Sequence, residues 1–187
     1  MCAAVLGVLL AGCATPVAGT PSPAPGTAPP AVDLPPRPRE VRLDGLDPCT
    51  LLTEPDRREL GLDQRPVLDV APSALYGGVT QLCSIRGFEP RAIAVGVELS
   101  VTGGIELYFR PGVPSEVRPV VVRDFPAIVA VPTITRFCSV VVDVAPGQAV
   151  DVSASDGGRV PPIPQDVLCT DAERVAGLVM GNLLAQR

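Results

Sequence analysis

The chain has 187 residues, a formal net charge of -5 and 6 cysteines. This length fits one domain with an extension, and the acidic balance argues against a basic surface for nucleic acid. All 15 basic residues are arginines, and the chain contains no histidine. A Ser-His-Asp triad, a Schiff-base lysine and a P-loop are therefore excluded, and no cofactor is expected. The classes of function that remain possible are catalysis by carboxylates, binding of oxygen-ligated cations, and binding without catalysis.

The beginning of the chain resembles the lipobox of bacterial lipoproteins. An apolar run over residues 3–10 ends in two small residues and a thiol, Ala11-Gly12-Cys13. The run is too short to span a bilayer but has the length of a signal-peptide core. We predict a signal peptide over residues 1–12, truncated at its start because no basic residue precedes the run. Cys13 would carry the lipid and hold the protein on the extracytoplasmic face of the cell membrane.

A proline-rich segment follows the predicted lipidation site. Residues 13–46 hold runs such as Thr20-Pro21-Ser22-Pro23 and offer few large apolar groups for burial. Such composition favours an extended, disordered tether over a packed core. We therefore place the folded domain at residues 47–187.

The domain opens with two helix-start signals and continues as strands. Asp47 and Thr53 are expected N-caps, and Gly61 an expected C-cap. The run 92–101 alternates apolar and polar residues, which predicts a half-buried strand, and a short helical turn is expected over 104–109. Further strands are predicted at 67–70, 81–86, 117–123 and 127–131.

A hairpin with a detailed register is predicted next. Keeping its valines on one face pairs Val144 with Val150 and Val142 with Val152, around a three-residue turn at 146–148. The same register sets Asp143 opposite Asp151. Thr170 then begins a capping box, which predicts a final helix from that point. The resulting order of helix, antiparallel strands and helix is an α+β fold, with N- and C-terminal helices packed on an antiparallel sheet.

Four cysteines remain for the domain, and three pairings are possible. A zinc site is the competitor, but these thiols are spread along the chain and lack the close pairs that zinc prefers. The predicted hairpin brings Cys138 near the strand that leads towards Cys169. We therefore favour the disulfide Cys138–Cys169, which leaves Cys49–Cys83.

Several landmarks together resemble the actinobacterial lipoproteins that carry domain of unknown function 3558 (DUF3558). They are Asp47-Pro48-Cys49-Thr50-Leu51-Leu52, Cys83 before a long strand, Gly103-Gly104-Ile105-Glu106-Leu107-Tyr108, Asp124-Phe125-Pro126-Ala127, Cys138-Ser139-Val140 and Cys169. The family usually has an aromatic residue where this chain has Ile85. The resemblance implies an envelope location and an α+β fold similar to the Mog1/PsbP scaffold, but no activity and no functional residues beyond the cysteines.

Two sets of carboxylates are candidate sites. Asp143 and Asp151 are weak metal candidates, although solvated, screened charges explain them as well. Glu98 and Glu106 are a candidate acid/base pair. We expect a monomeric, non-enzymatic lipoprotein that binds an envelope protein or a small or lipid-like ligand. The alternatives are a carboxylate-dependent cell-wall hydrolase and a surface spacer without a specific ligand.

Overall fold

A computed structural model describes residues 33–133 and 136–187 of the chain. The predicted signal peptide, Cys13 and the tether up to residue 32 lie outside the described residues. The elements are two 3-10 helices, Pro48–Thr50 and Ile105–Phe109, the helices α1 (Glu54–Leu60) and α2 (Gln165–Ala185), and the strands β1 (Val67–Pro72), β2 (Val79–Gly87), β3 (Ile93–Ser100), β4 (Ser115–Val122), β5 (Phe125–Pro132), β6 (Phe137–Ala145) and β7 (Gln148–Asp156).

The strands form one antiparallel sheet in the order β1-β2-β3-β7-β6-β5-β4. Helix α2 packs on one side of the sheet, the helix face, mainly over β6 and β7. The other side, which we call the loop face, carries Ile128, Ala130, Val141 and Ala149. It is covered by the 3-10 helix Ile105–Phe109 and by the loop that holds Tyr76. The predicted α+β class is confirmed.

Local sequence signals explain the ends of the N-terminal helices. The Asp47 carboxylate accepts the Cys49 N–H at 2.8 Å. Thr53 and Asp56 form a reciprocal capping box, and Gly61 ends α1 at a φ of 72°. A left-handed residue at this point is readily supplied by glycine. These three predicted caps are confirmed.

The predicted boundary between tether and domain is wrong. Val41 and Leu43 are each only 2% exposed and belong to the core of the helix face. The Val41 N–H donates to the Val144 carbonyl at 2.8 Å, and the Leu43 N–H donates to Gln148 Oε1 at 2.8 Å. Residues 33–46 therefore include part of the folded domain. The proline-rich composition of the segment as a whole did not reveal that Val41 and Leu43 would be buried.

The predicted hairpin register is also wrong, by two residues. Val142 pairs with Val150 and Val140 with Val152, while a bulge separates Asp143 from Ala145. The carbonyl of the bulged residue Val144 accepts the Val41 N–H. This carbonyl is therefore paired with the N-terminal segment and not with a residue of β7. A shift of two residues keeps every side chain on its face, so the valine pattern could not distinguish the two registers.

Helix α2 begins earlier than its predicted capping box. It starts at Gln165, and the Thr170 hydroxyl donates to the Asp166 carbonyl inside the helix. Its predicted apolar stripe is confirmed, because all of its members are buried: Ala172, Val175, Ala176, Val179 and Leu183. Among the described residues, no helix combines the length and apolarity needed to cross a membrane.

Two disulfides join the terminal helical elements to the sheet. Cys49 is bonded to Cys83 of β2, and Cys138 of β6 is bonded to Cys169 of α2. The pairing is the one favoured from the sequence. The predicted pairing is correct although the predicted register is wrong, because a shift of two residues leaves Cys138 on the helix face.

Candidate functional site

A buried carboxylate on the loop face has two tyrosine partners. Asp151 is 7% exposed and lies in the middle of β7. The Tyr108 hydroxyl donates to Asp151 Oδ2 at 2.6 Å, and the Tyr76 hydroxyl donates to the same oxygen at 3.1 Å. The chain contains only 2 tyrosines, and both serve this one carboxylate. We call these three residues the Asp151 cluster.

Local structure places each member of the cluster. Strand alternation turns Asp151 towards the loop face, while its neighbours Val150 and Val152 enter the core under α2. Tyr108 comes from the 3-10 helix Ile105–Phe109, and Tyr76 from the turn between β1 and β2. The sheet therefore fixes the carboxylate, and two connecting segments bring the hydroxyls to it.

The electrostatics of the cluster follow from its burial. Burial raises the pKa of Asp151 to about 6, while hydrogen bonds from Tyr108, Ser139 and Tyr76 oppose the increase. Glu98 lies opposite Asp151 on β3, and its charge adds to the increase in the pKa of Asp151. Burial and the Asp151 charge together raise the pKa of both tyrosines well above the ordinary value. The phenols therefore remain protonated donors, and Asp151 is ionised at neutral pH.

A mostly apolar pocket of about 300 Å³, the Tyr108 pocket, adjoins this cluster. Its polar lining comes from Tyr108, Ser115 and Ser139. Its apolar lining comes from Leu75, Val113, Pro114, Ala130, Pro132 and Phe137. Ala130 and Ser139 face each other across β5 and β6, and their small side chains leave the space open. The volume is at the lower end of the range of about 300–1,000 Å³ typical of ligand pockets.

The two predicted metal candidates lie apart. Asp143 does not face Asp151, which instead pairs with Val141 and Glu98 across its two neighbouring strands. Asp143 forms an ion pair with Arg37 at 2.6 Å, and this partner opposes the effect of burial, which raises the pKa of Asp143. Within 33–133 and 136–187, no cluster of three or more metal-ligating side chains occurs. The predicted Asp143–Asp151 pairing was a consequence of the wrong register.

The predicted acid/base residues belong to separate surroundings. Glu98 is half-buried beside Asp151. Glu106 is exposed and accepts the Gly104 N–H at 3.0 Å within its own turn, where its charge acts on Asp143. The carboxylate that neighbours Glu98 is therefore Asp151.

Sequence reasoning missed both tyrosine partners of Asp151. They lie in connecting segments, and no periodic pattern relates them to each other or to β7. One usable signal existed, namely an aspartate in the middle of an otherwise apolar strand end, Ala149-Val150-Asp151-Val152. A charge at such a position needs partners if the strand is buried on both faces.

The fold and the cluster define a disulfide-bonded α+β domain with a buried polar site on the loop face. The chain belongs to the family described as protein of unknown function (DUF3558), whose model matches residues 8–182. No curated protein and no solved structure matches the chain significantly.

Proposed function

We propose that the protein is a non-enzymatic, membrane-anchored envelope lipoprotein that binds a small amphipathic ligand in the Tyr108 pocket. The observation that carries the binding proposal is the pocket itself, an apolar space of about 300 Å³ whose lining includes the hydroxyl-bearing residues Tyr108 and Ser139. Such a combination of apolar lining and a few placed polar groups is typical of small-molecule sites.

The arrangement of Asp151 supports binding over catalysis. Its Oδ2 accepts both tyrosine hydroxyls, and the side chain does not line the pocket. A general acid or base has to reach the proton that it transfers. Asp151 instead holds Tyr108 in place, which is a positioning role.

A second depression favours the pocket by contrast. It measures about 860 Å³ beside β1, and its lining mixes charged side chains such as Arg65 and Arg86 with exposed apolar ones such as Leu68 and Phe88. The charged groups in that lining are costly to desolvate, whereas none of the described residues that line the Tyr108 pocket is charged. An apolar ligand therefore enters the Tyr108 pocket without removing water from a charged group.

The lipid anchor is supported by the sequence around Cys13 and by the proline-rich segment after it. Two or more acyl chains on one cysteine would hold the protein stably at a membrane. The test is the chain expressed from its own gene, with Cys13→Ser as the comparison. We expect the parent protein in the membrane fraction, with an intact mass that includes acyl chains, and the variant in the aqueous fraction. Equal partitioning of both proteins contradicts the anchor.

The binding proposal is tested with Nile red, an uncharged apolar dye. Its fluorescence should rise in the presence of the Cys13→Ser chain, and Ala130→Leu should abolish the rise by filling the pocket. Ala71→Leu, on the edge strand β1, is the matched control and should leave the signal unchanged. A signal that Ala130→Leu does not reduce contradicts the pocket. Wall-glycan release by the parent chain that Glu98→Gln abolishes would favour the hydrolase alternative instead.

A further inference from the structure

Two of the residues that line the Tyr108 pocket, Tyr108 and Ser139, carry hydroxyl groups. The Tyr108 hydroxyl carries one proton, and this proton is donated to Asp151 Oδ2 at 2.6 Å. Ser139 is 3% exposed and lies on the neighbouring strand β6, two residues from Val141, which pairs with Asp151. The Tyr108 oxygen can therefore offer only acceptor lone pairs to a molecule in the pocket.

Two carboxylates lie close to the Tyr108 hydroxyl. One is Asp151, which accepts the hydroxyl proton, and the other is Glu98, which lies directly opposite Asp151 on β3. In the part of the chain that the structure describes, Asp151 takes part in no ion pair, while Asp143 is already paired with Arg37. A negative potential at a poorly solvated wall attracts cations and repels anions more strongly than it would in water.

We infer that the Tyr108 pocket selects a ligand whose head group donates hydrogen bonds, with an alkyl ammonium preferred to an alcohol and an alkyl carboxylate rejected. This inference rests on the proposed binding function and adds the chemistry of the head group. A carboxylate would place its lone pairs against those of Tyr108, with Asp151 behind them. An ammonium group supplies donors that both hydroxyl oxygens can accept.

The two tyrosines provide a matched pair of variants. Both donate to Asp151, but only Tyr108 lines the pocket. Tyr108→Phe removes an acceptor from the ligand, whereas Tyr76→Phe removes the same donor from Asp151 without touching the pocket. Ser139→Ala removes the second acceptor, and Ser84→Ala on β2 is its control on the same sheet.

The experiment is calorimetric titration of the Cys13→Ser chain with decylamine, decan-1-ol and decanoate at neutral pH. We expect decylamine to bind at least about tenfold more tightly than decanoate, with decan-1-ol between them. Tyr108→Phe and Ser139→Ala should each weaken decylamine binding by about tenfold, while Tyr76→Phe and Ser84→Ala should stay within about twofold. Thermal melting of each variant confirms that it is folded.

Three contrary results have different meanings. Decanoate binding as tightly as decylamine, in a site that Ala130→Leu blocks, overturns the head-group inference and leaves the pocket intact. Absence of binding by all three probes and by Nile red overturns the proposed binding function itself. An equal loss of decylamine affinity in Tyr76→Phe and Tyr108→Phe overturns the direct contact with Tyr108.

Discussion

Replacing Asp151 with asparagine should change how the stability of the protein depends on pH. The pKa of Asp151 is raised from 3.8 in the unfolded chain to about 6 in the fold. The native state therefore binds this proton more tightly, so the contribution of Asp151 to the free energy of unfolding falls as the pH rises from about 4 to about 6 and is constant above that range. At about 1.4 kcal/mol per pH unit, the interval amounts to about 3 kcal/mol.

The Asp151→Asn variant keeps the shape of the side chain and an oxygen that can accept the tyrosine hydroxyls. Relative to the parent, the variant should therefore gain about 3 kcal/mol of unfolding free energy between about pH 4 and about pH 6.5. Urea denaturation at a series of pH values measures this difference. Only its change with pH matters, because any fixed cost of the asparagine cancels.

Asp156→Asn, on the same strand, is the control of opposite sign. Backbone N–H groups of Ile163, Gly158 and Arg159 lower the pKa of Asp156. Its contribution to stability is present above the unfolded value of 3.8 and is lost as the pH falls below it. The Asp156→Asn difference should therefore stay constant from about pH 5 upwards. A parallel pH profile for parent and Asp151→Asn would refute the reasoning about the buried carboxylate.

Three further changes test the scaffold. Replacing both Cys138 and Cys169 by alanine opens a loop of 31 residues and should lower the unfolding free energy by about 3–4 kcal/mol, as measured by urea denaturation. A chain that starts at residue 47 should lose about 3–6 kcal/mol relative to one that starts at residue 33, because it lacks the buried Val41 and Leu43; equal melting temperatures would contradict their role. Leu183→Ala on the buried stripe of α2 should cost about 2–5 kcal/mol, whereas the same change at the exposed Leu68 should cost far less in the same assay.

The elements of the fold were predictable because their signals are local. Alternation identifies β3, since Ile93, Val95, Val97 and Leu99 are all buried. The caps at Asp47, Thr53 and Gly61 depend only on neighbouring residues. The capping box at Thr170 failed because a helix that already runs from Gln165 satisfies the Thr170 hydroxyl through the Asp166 carbonyl.

The site was less predictable because it depends on contacts distant in the sequence. At the hairpin bulge, the Val144 carbonyl accepts the N–H of Val41, which comes from a segment that the composition placed outside the domain. The Tyr108–Asp151 hydrogen bond joins residues 43 positions apart and the Tyr76–Asp151 bond joins residues 75 positions apart. No pattern within one element encodes such pairs, so Asp151 could be placed on a face of its strand but not given its partners.

The central claim is that the Tyr108 pocket holds an amphipathic ligand at Tyr108 and Ser139. The most direct measurement is an NMR titration of the isotopically labelled Cys13→Ser chain with decylamine, followed through backbone amide shifts. The account predicts saturable shifts concentrated at Tyr108, Ala130 and Ser139, all absent in Ala130→Leu. Shifts that are confined to the exposed edge strand β1, or that persist unchanged in Ala130→Leu, would contradict it.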